Sequence, residues 1–164
     1  MALNVVVMGV SGAGKSSVGD AVASRLDATF IDADSLHPPA NVDKMASGIP
    51  LTDEDRWPWL HVVGTALSAG EQNGTIVACS ALKRSYRDAI RTMAPSTRFI
   101  LLHAETPALQ DRLTQRPGHF MPASLLTSQL ETLEALETDE PGVVVRSEGG
   151  IEQAVDSICE YLRR

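Results

Sequence analysis

The chain has 164 residues, 43% hydrophobic and 21% charged, enough for one domain with a real core and too few for two comfortable ones. Its formal charge of −7 argues against a nucleic-acid-binding surface, and no apolar run approaches the ~20 residues of a membrane span. Cys79 and Cys159 lack metal-ligand or C-x-x-C spacing and read as reduced thiols of a cytoplasmic protein. The N-terminal apolar run has no basic leader, so it reads as a strand rather than a signal peptide.

In chain order, the apolar run 5–8 predicts a buried first strand. It enters Gly9-Val10-Ser11-Gly12-Ala13-Gly14-Lys15-Ser16, which fits the phosphate-binding pattern G-x-x-x-x-G-K-[ST] and opens into a helix over 16–26. Glycines let successive backbone N–H groups turn towards phosphate oxygens, and the helix N-terminus adds partial positive charge. Lys15 is expected to reach the β- and γ-phosphates, and Ser16 to hold Mg²⁺.

A second short strand, 28–31, ends in Asp32-Ala33-Asp34. A proline- and glycine-broken stretch follows, with a short helix over 41–46. Thr52 reads as an N-cap, with Asp53, Glu54 and Asp55 in the first turn of a helix running to about Gly70. The third strand is 75–79, followed by a helix over 84–93 and a fourth strand over 98–103. Thr106-Pro107 reads as an N-cap and first helical proline, starting a helix to Gln115. Residues 116–122 interrupt the helical pattern, another helix spans 123–136, and Val143-Val144-Val145 forms a fifth strand. Ile151, Ala154, Val155, Ile158 and Leu162 mark a final amphipathic helix. Short apolar strands alternating with helices predict an α/β fold, a three-layer sandwich with a five-stranded parallel sheet and helices on both faces. One domain over 1–164 is expected, with a lid over about 116–136.

Ligands of open α/β sheets sit at the C-terminal strand ends, so the chemistry is sought there. Asp32 and Asp34, at i, i+2, point the same way in extended chain. One carboxylate suits the metal and the other an acceptor hydroxyl, the two tasks that phosphoryl transfer needs beside such a loop. A solvated turn is the plainer alternative. His37, Lys44 and Arg56 follow, donors suited to an anionic or polyhydroxylated acceptor or simply surface residues. Trp57 and Trp59 read as core packing. Strand three ends without a metal-binding carboxylate, which assigns the metal to Asp32 and leaves Lys83 and Arg87 to hold an anionic group. Arg116 and His119 occupy the broken stretch 116–122, where a closing lid would bring an arginine onto the phosphates.

Together these motifs resemble the thermoresistant-type gluconokinases of the P-loop kinase superfamily. The resemblance rests on the Gly9 to Ser16 loop and Asp32-Ala33-Asp34-Ser35-Leu36-His37-Pro38. It continues through Asn41 and the block 44–60, then Cys79-Ser80-Ala81-Leu82-Lys83 with Tyr86-Arg87-Asp88, Gly118-His119-Phe120 and the stretch 129–134. It implies transfer of phosphate from ATP-Mg²⁺ to the C6 hydroxyl of D-gluconate. Asp34 is then the contact to the acceptor hydroxyl, and His37, Arg56, Lys83, Arg87 and His119 surround gluconate, with Gln129 a further candidate. Arg116 matches the lid arginine over the phosphates, and the family implies a homodimer. Ala33 and Pro117 depart from a common glycine and a common non-proline residue, and neither touches a proposed catalytic group. Shikimate kinases share the loop and the Asp-x-Asp pair but lack the 44–60 block. A GTPase switch would want N-K-x-D, which is absent, while Asp139-Glu140-Pro141-Gly142 fits D-x-x-G too late in the chain.

Overall fold

The computed structural model describes residues 3–70, 73–115 and 123–164, and the side chains of 123–125 lie outside that description. The elements are β1 (Asn4–Met8), α1 (Lys15–Leu26), β2 (Thr29–Asp32), a 3-10 turn (Ala33–Leu36), α2 (Pro39–Ala46), α3 (Asp53–Ser68) and β3 (Thr75–Ala78). They continue with α4 (Arg84–Met93), β4 (Arg98–His103), α5 (Thr106–Thr114), α6 (Ala123–Thr132), β5 (Gly142–Arg146) and α7 (Ile151–Leu162). All strand pairs are parallel, in the order β2-β3-β1-β4-β5, so the expected α/β sandwich is what forms.

β1 is central, and Val5, Val6, Val7 and Met8 are all fully buried. A strand covered on both faces needs apolar side chains on both, which explains the unbroken run. Val5 and Val7 join one core with Val18 and Val22 of α1 and Val155 and Ile158 of α7. Val6 and Met8 point the other way, into a core with Leu60 and Val63 of α3 and Tyr86 and Ile90 of α4. The period-2 alternation of one short strand thus builds two cores.

α3 begins where Thr52 was expected to cap it. Thr52 Oγ1 accepts from the Asp55 N–H at 3.1 Å, and Asp55 Oδ2 accepts from the Thr52 N–H at 2.9 Å. This is a reciprocal capping box, with the acidic first turn set against the helix dipole.

Three expectations need correction. The N-cap position of α5 is Glu105, which makes no side-chain cap bond, so Thr106 is already helical and Pro107 occupies an early position where no N–H is missed. α6 stops at Thr132 instead of Leu136, because the chain leaves the helix to donate the Glu134 N–H to the Leu82 carbonyl at 2.8 Å. Asp34 sits in the 3-10 turn rather than in extended chain, so the i, i+2 argument does not hold for the pair. Ala33 is buried in that turn and outside the positive-φ region, so alanine sits there without strain.

The capping box gives a direct test. Thr52→Ala should lower unfolding stability by about 1 kcal/mol in urea titration, with an unchanged m-value. A midpoint equal to that of the parent would show that the box contributes nothing to α3.

Candidate active site

The phosphate loop leaves β1 at Gly9, whose φ is 145°. A Cβ there would lie 2.9 Å from the Leu102 carbonyl oxygen of β4. Gly12, at φ 86°, passes so close to α5 that a Cβ would meet the Leu109 oxygen at 3.1 Å. Only glycine lets the loop lie this tightly on neighbouring backbone. Gly14, also left-handed, is the N-cap of α1 and offers no side chain to the first-turn N–H groups. Lys15 Nζ donates to the Val10 carbonyl at 3.1 Å, folding the ammonium over the loop.

Ser16 Oγ donates to Asp32 Oδ2 at 2.8 Å, while Asp32 Oδ1 accepts from the Asp34 N–H at 3.0 Å. Asp32 therefore joins the start of α1 to the end of β2. A hydroxyl and a carboxylate side by side are hard oxygen donors, which fit Mg²⁺ and suit a soft metal poorly. Cys79, at the end of β3, is pushed up to about 12, chiefly by burial. The Ala81 backbone and the Lys15 charge oppose that rise, and the charges of Asp34 and Asp32 add to it.

Next to this strand end, the turn after β2 packs with α3, and α3 with α4. The His37 ring stacks on Trp59 at 4.1 Å and 16°, and Trp59 Nε1 donates to the Ala33 carbonyl at 2.8 Å. Asn41 Nδ2 lies 3.2 Å from His37 Nδ1 and donates to the Asp55 carbonyl at 3.0 Å. An amide N–H facing Nδ1 makes that nitrogen the acceptor, which assigns the ring proton to Nε2. Burial, with Arg56 assisting and Asp34 opposing, holds the His37 pKa below 6.5. At neutral pH the ring is an uncharged N–H donor.

Beside it, Asp53 gathers a cationic corner. Tyr86 Oη donates to Asp53 Oδ1 at 2.5 Å, Lys83 Nζ lies 3.4 Å from both carboxylate oxygens, and Arg56 Nη1 lies 3.9 Å from Oδ1. Arg56 also donates to the Leu51 carbonyl at 2.8 Å and to Tyr86 Oη at 3.2 Å. Both cations stand 5.5 Å from the Tyr86 ring centre. The Tyr86 bond, followed by Lys83, keeps Asp53 below the usual carboxylate range against the opposing effect of desolvation. Burial and the bond to Asp53 push Tyr86 up to about 12.

The structure brings together Lys15, Ser16, Asp32 and Asp34 at one strand end, and His37, Arg56 and Lys83 beside them. Three other expected acceptor residues are engaged by the protein itself. Arg87 is fully buried, with its guanidinium on Glu140 and three backbone carbonyls, because a desolvated charge needs a full set of partners. Lys44 is bound to Asp55 at 2.7 Å and ties α2 to α3. Gln129 gives its side-chain oxygen to the Ser11 N–H at 2.7 Å, on the phosphate loop. Trp59 is core, as expected, but Trp57 is exposed and meets Tyr86 edge-on. Arg116 and His119 lie outside the described residues.

Sequence reasoning missed Asp53 as the organiser of the cations, and it missed Arg112. Arg112 donates to the Gly12 and Ala13 carbonyls at 3.0 and 3.3 Å and to Ser147 Oγ and O at 3.1 and 2.7 Å, joining the phosphate loop to the β5–α7 turn. A cation in the last turn of α5 was the only local signal, and helix-dipole compensation accounts for that equally well.

A glycine loop between β1 and α1, a Ser16–Asp32 oxygen pair and a cationic corner beside it, on a 2-3-1-4-5 parallel sheet, define a P-loop kinase. A family model described as "AAA domain" matches residues 5–136. The "Gluconokinase" of Gluconobacter oxydans is 49% identical over 164 residues, covering 98% of this chain and 89% of that protein. The "Thermoresistant gluconokinase" of Escherichia coli is 43% identical, with 97% and 93% covered. A solved gluconokinase from Sinorhizobium meliloti superposes with a TM-score of 0.90 at 48% identity, covering 99% of this chain and 92% of its own. A shikimate kinase from Bacteroides thetaiotaomicron, at 17% identity and TM-score 0.72 with 99% of each chain covered, shares the fold alone. The chain belongs to the gluconokinase family.

Two acid windows follow. The folded His37 pKa lies below 6.5, so on acidification the unfolded chain takes up that proton first and stability falls as pH drops below 6.5. Asp55, held at about 2 by Lys44 and the Thr52 N–H, contributes stability that is present above 3.8 and lost as pH falls through about 2. Melting curves from pH 8 to pH 2 should show both declines, and His37→Asn should remove only the upper one. An unaltered upper decline in that variant would exclude His37 as its source.

Proposed function

We propose that this protein transfers the γ-phosphoryl group of ATP to the C6 hydroxyl of D-gluconate, giving 6-phospho-D-gluconate and ADP. The observation that carries the reading is the pairing of a complete phosphate loop with an adjacent corner of Arg56, Lys83 and neutral His37, built largely by the 37–60 segment. A sugar acid has one carboxylate and a row of hydroxyls, and this corner offers cations for the first and N–H donors for the second. The high identity to gluconokinases over nearly the whole chain supports the same acceptor.

In this reading the loop N–H groups and Lys15 take the β- and γ-phosphate oxygens, where charge builds during transfer. Ser16 and Asp32 would hold Mg²⁺, which when bound neutralises phosphate charge. Asp34 aligns the C6 hydroxyl and accepts its proton late, because phosphoryl transfer demands positioning more than a strong base. Arg56 and Lys83 hold the carboxylate of gluconate, exchanging part of their attraction to Asp53 for it. His37 donates from Nε2 to an acceptor hydroxyl. Arg116 and His119 complete the site from a lid whose closing part is the broken stretch 116–122 of the expected 116–136, within a single domain that works in the cytoplasm as a homodimer; the family resemblance supports these points.

The test is ADP formation with ATP-Mg²⁺ and a panel of D-gluconate, 2-keto-gluconate, glucose, shikimate, AMP and no acceptor. Selective stimulation by D-gluconate is expected, and stimulation by shikimate or AMP instead would overturn the acceptor. Lys15→Ala and Asp34→Ala should each lose at least about a hundredfold in turnover while remaining folded. Near-parental turnover in either would remove its assigned role. Arg56→Ala should raise the gluconate KM and leave the ATP KM nearly unchanged. The opposite pattern would move Arg56 to the nucleotide side.

A further inference from the structure

Arg87 is wholly out of water, yet phosphoryl transfer makes no direct use of it. All of its N–H groups are engaged. Nε and Nη2 grip Glu140 at 2.6 and 3.0 Å, Nη1 donates to the Ala81 and Leu82 carbonyls at 3.1 and 3.2 Å, and Nη2 also reaches the Ala135 carbonyl at 3.3 Å. Burial pushes the Glu140 carboxyl up, but the Arg87 fork and the Glu137 N–H outweigh it and the net shift is down. A buried ion pair is a poor way to gain stability, since apolar side chains of similar volume often do as well. What this one does supply is direction.

The direction is towards Lys83. The two carbonyls that Nη1 holds belong to the two residues just before it. Ala81 has a φ of 42°, a left-handed conformation that a non-glycine residue keeps only when its surroundings impose it. A second set of bonds reaches the same turn from the α6–β5 connection. The Glu134 N–H donates to the Leu82 carbonyl at 2.8 Å, and Glu134 Oε1 accepts from the Arg84 N–H at 2.8 Å. Lys83 is the N-cap of α4 and makes no side-chain cap of its own, so Glu134 supplies one from outside. The backbone is therefore bonded on both sides of Lys83. Farther along, Arg84 closes onto Glu137 and, at 2.8 and 3.0 Å, onto Asp139.

The same connection begins at the nucleotide side. Five residues before Glu134, in α6, Gln129 places its side-chain oxygen on the Ser11 N–H at 2.7 Å, and its own carbonyl accepts from the Leu133 N–H at 2.9 Å. Leu133 packs against both cores. A short, well-bonded segment thus runs from the phosphate loop to the turn that presents Lys83.

We propose that residues 129–140 form a strut that fixes the distance between the phosphate loop and the acceptor-carboxylate corner. Gln129 is its contact at one end, Glu134 the cap at the other, and Arg87 with Glu140 its buried anchor. These are positioning residues: they act through Ser11 and Lys83 and touch neither substrate. The proposal rests on reading Lys83 as the donor to the acceptor carboxylate.

Because Arg87 variants are at risk of not folding, the test uses exposed Glu134 and half-buried Gln129. Steady-state kinetics on ATP and D-gluconate and thermal melting would be measured for Glu134→Ala, Glu134→Gln, Gln129→Ala and the Glu134→Ala/Gln129→Ala pair. Glu134→Ala and Gln129→Ala should each lower kcat/KM for gluconate by at least about fivefold, with the ATP KM within about twofold of the parent. Their melting points should stay within about 2 °C of it. Glu134→Gln keeps an oxygen for the Arg84 N–H and should recover most of the loss. The double variant should be no worse than the poorer single one, since either cut severs the same link. Melting losses without a kinetic split, an equal effect of alanine and glutamine at 134, or losses that multiply in the pair would each overturn the strut. A parent with no gluconate-dependent ADP formation would overturn the acceptor reading beneath it, an outcome separable from all of these.

Discussion

Everything in this molecule answers to the first turn of α1. A helix start leaves backbone N–H groups without partners, and most helices close that deficit with a side chain at the cap. Here the cap is Gly14, which has none to give. The loop before it is pressed onto β4 and α5 so closely that Gly9 and Gly12 have no room for a Cβ. The result is a pocket of donors that a phosphate group satisfies better than any residue of the chain does. Lys15 and Ser16 follow directly because they occupy the next two positions. Asp32 follows because strand β2 ends where Ser16 begins its turn.

The neighbouring corner solves the opposite problem, which is to keep two cations together. Lys83 and Arg56 would repel one another if left bare, and long side chains would spread into solvent. Asp53 and the hydroxyl of Tyr86 hold them in place, and the aromatic face between them favours the same arrangement. Such a corner is organised before any ligand arrives, which lowers the ordering cost of binding. His37 is treated in kind: stacked on Trp59 and pinned by Asn41, it keeps one tautomer and one orientation.

How far the sequence could be read depended on the distance over which each feature is decided. The loop, the Thr52 cap, α4 and β4 are local, and residue types within a few positions specify them. Arg87 was legible as a cation but not as a buried one, because the residue that buries it, Glu140, lies 53 positions away. Gln129 was expected near gluconate and instead meets Ser11, 118 positions distant. The Asp32–Asp34 pair was chosen correctly as a neighbour of the loop for an incorrect reason, since extended geometry gives way to a 3-10 turn. α6 was expected to run to Leu136 because its helical pattern continues; a tertiary bond to Leu82 outcompeted it.

The alternation of β1 has a consequence for descent. The phosphate loop runs into the layer containing α1 and α7, while the stretch from the 3-10 turn to α3 belongs to the layer containing α3 and α4. The two layers meet across a sheet one strand thick and, beyond it, through the 129–140 segment, where Leu133 packs on both cores. A lineage can therefore vary α2, α3 and the start of α4 while keeping its phosphate loop, provided the bonds of Gln129 and Glu134 still join the two.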